Sequence, residues 1–100
     1  ILLVNLLHLI SIKETKILIK EMFKALSSNG LSIIYGPFMR SGKLVSKNDM
    51  DFHHSLINTD PDLGYKNDVD ILNLFGEAGL VHLSTAKMPA NNLAFILQKP

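Results

Sequence analysis

Apolar residues fall along this chain in two rhythms. Ile1–Val4 and Leu31–Tyr35 are short runs, the first unbroken, of the kind that forms strands buried on both faces of a parallel sheet, and Asn5 closes the first of them. Between them, Lys13–Leu26 repeats at helical spacing, with Ile17, Leu18, Met22, Phe23, Ala25 and Leu26 set mostly opposite Lys16, Lys20, Glu21 and Lys24. Ser27–Gly30 then offers an Asn and a Gly for a left-handed helix stop. The expected opening is strand, helix, strand.

Gly36-Pro37 is expected to break the second strand, and Met39–Met50 is polar with a turn at Ser41-Gly42. A stretch of that length inside a compact domain is either functional or unstructured. Asn48 is expected to cap a short helix reaching Asn58, with Phe52, Leu56 and Ile57 on one side, before Asp60-Pro61 turns the chain. Asn67 or Asp68 then starts a helix over Val69–Ala78 that buries Ile71, Leu72, Leu74, Phe75 and Ala78 and stops at Gly79. Leu80–Lys87 and Leu93–Gln98, joined through Met88–Asn92, are expected to form an antiparallel hairpin. The layout is βαβαββ in one α/β domain over residues 1–100, with no repeat and no linker-like shift in composition.

Composition narrows the function classes. With 47% hydrophobic and 19% charged residues in 100, the chain folds rather than staying disordered. Ten Lys and Arg against nine Asp and Glu give a net charge of +1, no basic field for nucleic acid, and Lys13, Lys16, Lys20 and Lys24 read as one solvated helix face. The absence of cysteine removes disulfides and thiolate metal sites and fits a reducing compartment, so the cytoplasm is the expected location. Ile1–Ile10 is apolar but carries Asn5 and His8 and has no basic flank or small-residue cleavage site, so it is a strand and not a signal sequence. No run approaches the roughly 20 apolar residues of a membrane span.

Chemistry-bearing residues collect at strand ends, where α/β proteins place ligands. They are Asn5-Leu-Leu-His8 after the first strand, Tyr35-Gly-Pro-Phe38 after the second, Asp51-Phe52 with Ser55-Leu56, Asp60-Pro61 with Gly64, and Met88-Pro-Ala-Asn-Asn92. In this order these motifs resemble the methyltransferase-like DUF938 family over essentially the whole chain. The resemblance implies the C-terminal half of a Rossmann-like class I methyltransferase fold, a mainly parallel sheet with a terminal antiparallel hairpin. It further implies S-adenosylmethionine as cofactor and a small methyl acceptor. The family's Gly-rich turn and cofactor-holding acidic residue belong to a front half that these residues do not include. The chain also departs from the family pattern, with His53 for a second Asp, Leu63 for Trp, Lys66 for Arg and Asn67 for Asp.

On that resemblance Asn5 and His8 face the crevice where methyl donor meets acceptor. His8 is a candidate general base, because a histidine pKa of about 6.5 lies near working pH, and Asn5 is a candidate cofactor contact. Tyr35, Gly36, Pro37 and Phe38 are candidates for an acceptor-pocket wall, with Gly36 admitting close backbone approach, and Asn48, Phe52, Ser55 and Lys66 for a lid over it. Asn91-Asn92 reads first as a turn that bonds the hairpin backbone and second as a reach toward the pocket, and Met22, Met39, Met50 and Met88 as core or loop filler. His53-His54 is no metal pair, since neighbours on a helix point about 100° apart and no third ligand is spaced to join them. The expectation is a half-site without activity of its own. The competing expectation is a structural module that forms a homodimer through the unpaired edge of its first strand.

Overall fold

The computed structural model describes all 100 residues. Four strands form one sheet in the order β1 (Leu2–Val4), β2 (Leu31–Pro37), β4 (Asn92–Gln98), β3 (Val81–Lys87). β1 and β2 are parallel, with Leu3 opposite Ile34, and β4 is antiparallel to both β2 and β3. Three strands therefore share a direction, and the hairpin's return strand β4 slots between β2 and β3. A bulge between His82 and Ser84 offsets the hairpin register.

Helix α1 (Ile12–Ala25) starts at a capping box: Ser11 Oγ accepts from the Glu14 amide at 3.1 Å, and Glu14 Oε1 accepts from the Ser11 amide at 3.0 Å. These bonds hold the exposed Glu14 carboxyl below its ordinary pKa. The buried stripe is Thr15, Ile19 and Met22. Ile17 and Ala25, expected inside, are exposed, because the stripe that meets the core runs through Thr15, Ile19, Met22 and Leu26 at i, i+4, i+7 and i+11, and Ile17 and Ala25 lie off it. Helix α3 (Asp68–Glu77) buries Ile71 and Phe75, with Leu72, Leu74 and Ala78 packed alongside, and stops at Gly79, whose φ of +96° suits glycine. One side of the sheet and these two helices share a single core that includes Leu7, Ile34, Phe38, Leu93, Phe95 and Leu97.

Helix α2 (Lys47–Thr59) buries no residue. Its cap is Ser46, not Asn48: Ser46 Oγ accepts from the Asp49 amide and donates to Asp49 Oδ2, an exchange open only to a residue three positions before the aspartate. With α2 counted, the order along the chain is βαβααββ. Gly36 and Pro37 continue β2 instead of breaking it, paired with Leu93 and Asn92, because a proline is tolerated at a strand's last position.

The expectation of burial on both faces fails for β1. Leu2 and Val4 are 64% and 52% exposed, and with Ile33, Tyr35, Ala86, Met88, Ala94 and Ile96 they make an apolar patch on the second sheet face that no helix covers. Both helices that pack on the sheet lie on its other side, so the continuous apolar run of Ile1–Val4 anticipates a cover that these residues do not supply. No helix is long and apolar enough to cross a membrane.

Candidate functional site

Three elements end at one edge of the sheet and open a cleft of about 420 Å³. Asn5 and His8 follow β1, Pro37 ends β2, and Ala90 and Asn92 lead into β4; Asp49 and Phe52 come from α2 and Tyr65 from the loop before α3. The backbone here is held in left-handed conformations that cost non-glycine residues energy: φ is 55° at Asn5, 59° at Ala90 and 62° at Asn91. At Asn5 this bend turns the chain off the strand while its amide still donates to Tyr35 O at 2.8 Å.

His8 sits in a single 3-10 turn, Leu7–Leu9, only 6% exposed but lining the cleft. Its ring lies edge-on to Phe52 at 5.7 Å and to Tyr65 at 6.1 Å, and those two rings are 6.1 Å apart. No side-chain or backbone group of the protein bonds its ring nitrogens. Burial, and secondarily the charge of Lys66, lower its pKa. His8 is therefore neutral at pH 7, with a free lone pair in a wall of aromatic carbon.

The wall itself is braced. The Tyr65 hydroxyl donates to Asp49 Oδ1 at 2.8 Å, and the Tyr65 amide donates to His53 Nδ1 at 3.0 Å. Burial and the Asp49 bond raise the Tyr65 pKa, so the hydroxyl stays a donor. Burial, then the neighbouring His54 and Lys66, lower the pKa of His53, which keeps Nδ1 an acceptor. His53, a departure from the family pattern, thus closes a loop in place of a carboxylate.

Of the residues singled out from sequence, the structure brings Asn5, His8, Pro37 and Phe52 together around the cleft. The others lie elsewhere. Phe38 is in the core, 4.9 Å from Phe95. Gly36 is buried beneath Asn5, where an added Cβ would be in ordinary 3.7 Å contact, so no close approach demands glycine. Tyr35 belongs to the uncovered sheet face, though its hydroxyl accepts from Asn92 Nδ2 at 3.0 Å. Asn48 and Ser55 are exposed on α2, away from the cleft. The Lys66 ammonium donates to the carbonyls of Ile10 at 2.7 Å and Gly64 at 3.0 Å, bracing two loops from outside, and burial lowers its pKa. Leu9, Asp49, Tyr65 and Ala90 also line the cleft without any sequence-based expectation, and Asn92, read first as a turn residue, lines it too. The signal for Asp49 was present as Ser46-Lys47-Asn48-Asp49, a capping pattern displaced from the Asn48 cap that was inferred.

The family described as "Protein of unknown function (DUF938)" matches residues 1–99. Among solved structures, the chain is similar to an O-methyltransferase family 2 protein from Planctomyces limnophilus in complex with apigenin. The TM-score is 0.87 at 15% identity, covering 99% of this chain and 30% of that one. It is similar also to human N-acetylserotonin methyltransferase in complex with SAM, with a TM-score of 0.85 at 12% identity over 98% of this chain and 28% of that one. An O-methyltransferase family protein from Burkholderia thailandensis gives 0.80 at 19% identity, over 98% and 29%. The chain thus has the fold of the C-terminal part of a class I methyltransferase and spans about 30% of the length of these structures.

Proposed function

The chain belongs to the DUF938 family, and on that premise we propose that its residues form the acceptor side of an S-adenosylmethionine-dependent methyltransferase for a small protic acceptor. One observation carries this reading: a buried, neutral histidine without a protein hydrogen-bond partner, at the end of β1 in an aromatic-walled cleft. Its neighbours in fold are methyltransferases, two of them O-methyltransferase family members by description.

The residues fit one end of the cofactor. The Asn5 side chain is exposed at the cleft and makes no hydrogen bond within the chain, so it can meet the polar part of a methyl donor. No Gly-x-Gly turn occurs anywhere in the 100 residues, so the nucleoside end is not held here. When bound, S-adenosylmethionine supplies an electrophilic methyl group on sulfur. The protein's part is then general-base chemistry: a His8 ring nitrogen accepts the proton of the acceptor's hydroxyl or amine as that atom takes the methyl group. Phe52 and Tyr65 exclude water from the reacting atoms, and His8 later releases its proton to solvent.

The test is where S-adenosylhomocysteine touches the 100-residue chain. Titration at millimolar concentration, followed by amide chemical shifts, is expected to move Asn5, His8, Leu9 and Asn92 and to spare the α1–α3 seam. Shifts confined to other surfaces, or none at all, would overturn the reading.

The bare sheet face favours self-association as an additional property. Pairing two β1 edges would only extend the sheet and leave both apolar faces wet, so stacking of the faces is the arrangement that removes them from water. Light scattering at high concentration is expected to give a mass above that of one chain, and Ile33→Lys to restore the monomer. A monomeric native chain would contradict this.

A further inference from the structure

Asp49 is the single carboxylate lining the cleft. Its Oδ1 accepts from the Tyr65 hydroxyl at 2.8 Å, and its Oδ2 accepts from Ser46 Oγ at 2.8 Å and from Asn91 Nδ2 at 3.5 Å. All three donors are neutral. No cationic nitrogen lies within 4.0 Å, since the only ion pair in the chain joins Lys24 and Glu21 on α1. Arg40 Nη2 donates to Asn91 O at 2.7 Å while its Nε is buried without a partner, and Lys66 Nζ donates to the carbonyls of Ile10 and Gly64, so neither cation pairs with Asp49. The cleft therefore holds a half-buried negative charge met only by dipoles.

Beside that charge stand the faces and edges of Phe52, Tyr65 and His8. A carboxylate without a counter-ion next to aromatic rings suits an organic ammonium, which gains a charge-assisted hydrogen bond and cation–π attraction together. The same field repels an anion, because no Lys or Arg lines the cleft to receive one. Resting on the reading of this cleft as the acceptor side, we infer that the acceptor is a small molecule carrying a protonated amine, anchored on Asp49, besides the protic group that faces His8. The amine sets orientation, and the atom that is methylated is a different one.

Three probes that share a phenol and differ in the charge of the tail test this on the 100-residue chain without any methyl donor: tyramine, 4-ethylphenol and 4-hydroxyphenylacetate. Amide chemical-shift titration is expected to show tyramine binding about tenfold or more tighter than 4-ethylphenol, with the anion weakest. Asp49→Asn, which keeps an acceptor for Tyr65, is expected to erase the tyramine advantage while 4-ethylphenol is unaffected. The native tyramine affinity is also expected to fall with added salt while that of 4-ethylphenol holds, a readout that needs no variant. Equal native affinity for tyramine and 4-ethylphenol, or an advantage that survives in Asp49→Asn, would overturn the inference and leave Asp49 as a cap and tether. Because no cofactor is present, that failure is separable from a failure of the S-adenosylhomocysteine titration.

Discussion

Replacing Phe95 with alanine is expected to cost about 3–5 kcal/mol, a large share of the roughly 5–15 kcal/mol that holds a small domain together. Phe95 is fully buried in β4, an inner strand of the sheet, opposite Ile34 on β2 and Thr85 on β3. Its ring meets Phe38 at 4.9 Å and Phe75 at 5.8 Å, both edge-on, so it joins the strand that precedes the cleft to helix α3. Neither neighbour can close the void without giving up its own packing. With one sheet face bare, the chain has little reserve stability, and urea unfolding followed by circular dichroism is expected to show a midpoint near zero denaturant. An unchanged midpoint would contradict this assignment of the core. Phe52→Ala is the contrast: that ring is 44% exposed and its loss should strip the cleft while sparing the fold.

Gly64→Ala carries the second large effect, about 2–5 kcal/mol from backbone strain and overpacking together. The φ of Gly64 is +117°, a conformation that side chains rarely adopt. A Cβ there would lie 2.8 Å from Cε1 and 2.9 Å from Nδ1 of His53. That ring cannot yield cheaply, because Nδ1 is the acceptor for the Tyr65 amide. Moving it displaces Tyr65, and with it the hydroxyl bond to Asp49 and the edge contact with His8. Thermal unfolding is expected at a markedly lower temperature, accompanied by a changed ring-proton shift for His8. A variant as stable as the native chain would show that the loop relaxes without the His53 bond.

The hydrophobic rhythm made the secondary structure legible, because a shared core spaces apolar residues along a helix and concentrates them in a strand. The strands near Ile1–Val4 and Leu31, the helices near Lys13 and Val69, and the antiparallel hairpin all follow from it. The sequence hid two kinds of fact. Whether Ile17 or Ile19 turns inward depends on which stripe of the helix meets the sheet, and the stripe that does so includes the polar Thr15, which an apolar count passes over. Whether Tyr35 and Phe38 face a ligand depends on what covers each side of the sheet: the core takes Phe38, while Tyr35 lies on the side left bare. The candidate site divides in the same way. Asn5 and His8 are fixed by their place after β1, which a strand end reveals. Asp49 and Tyr65 come together only through a bond across 16 residues, which no local pattern encodes.

In the function proposed, a methyl donor is presented to His8 in the cleft behind β1 and β2. The measurement that reads it most directly is an intermolecular nuclear Overhauser effect between the S-methyl protons of S-adenosylmethionine and the ring protons of His8, recorded on the 100-residue chain at millimolar cofactor. A cross-peak to His8 is expected, with weaker ones to Asn5 and Phe52. Cross-peaks to the open face at Leu2 and Ile33 instead, or binding without any contact to His8, would contradict it.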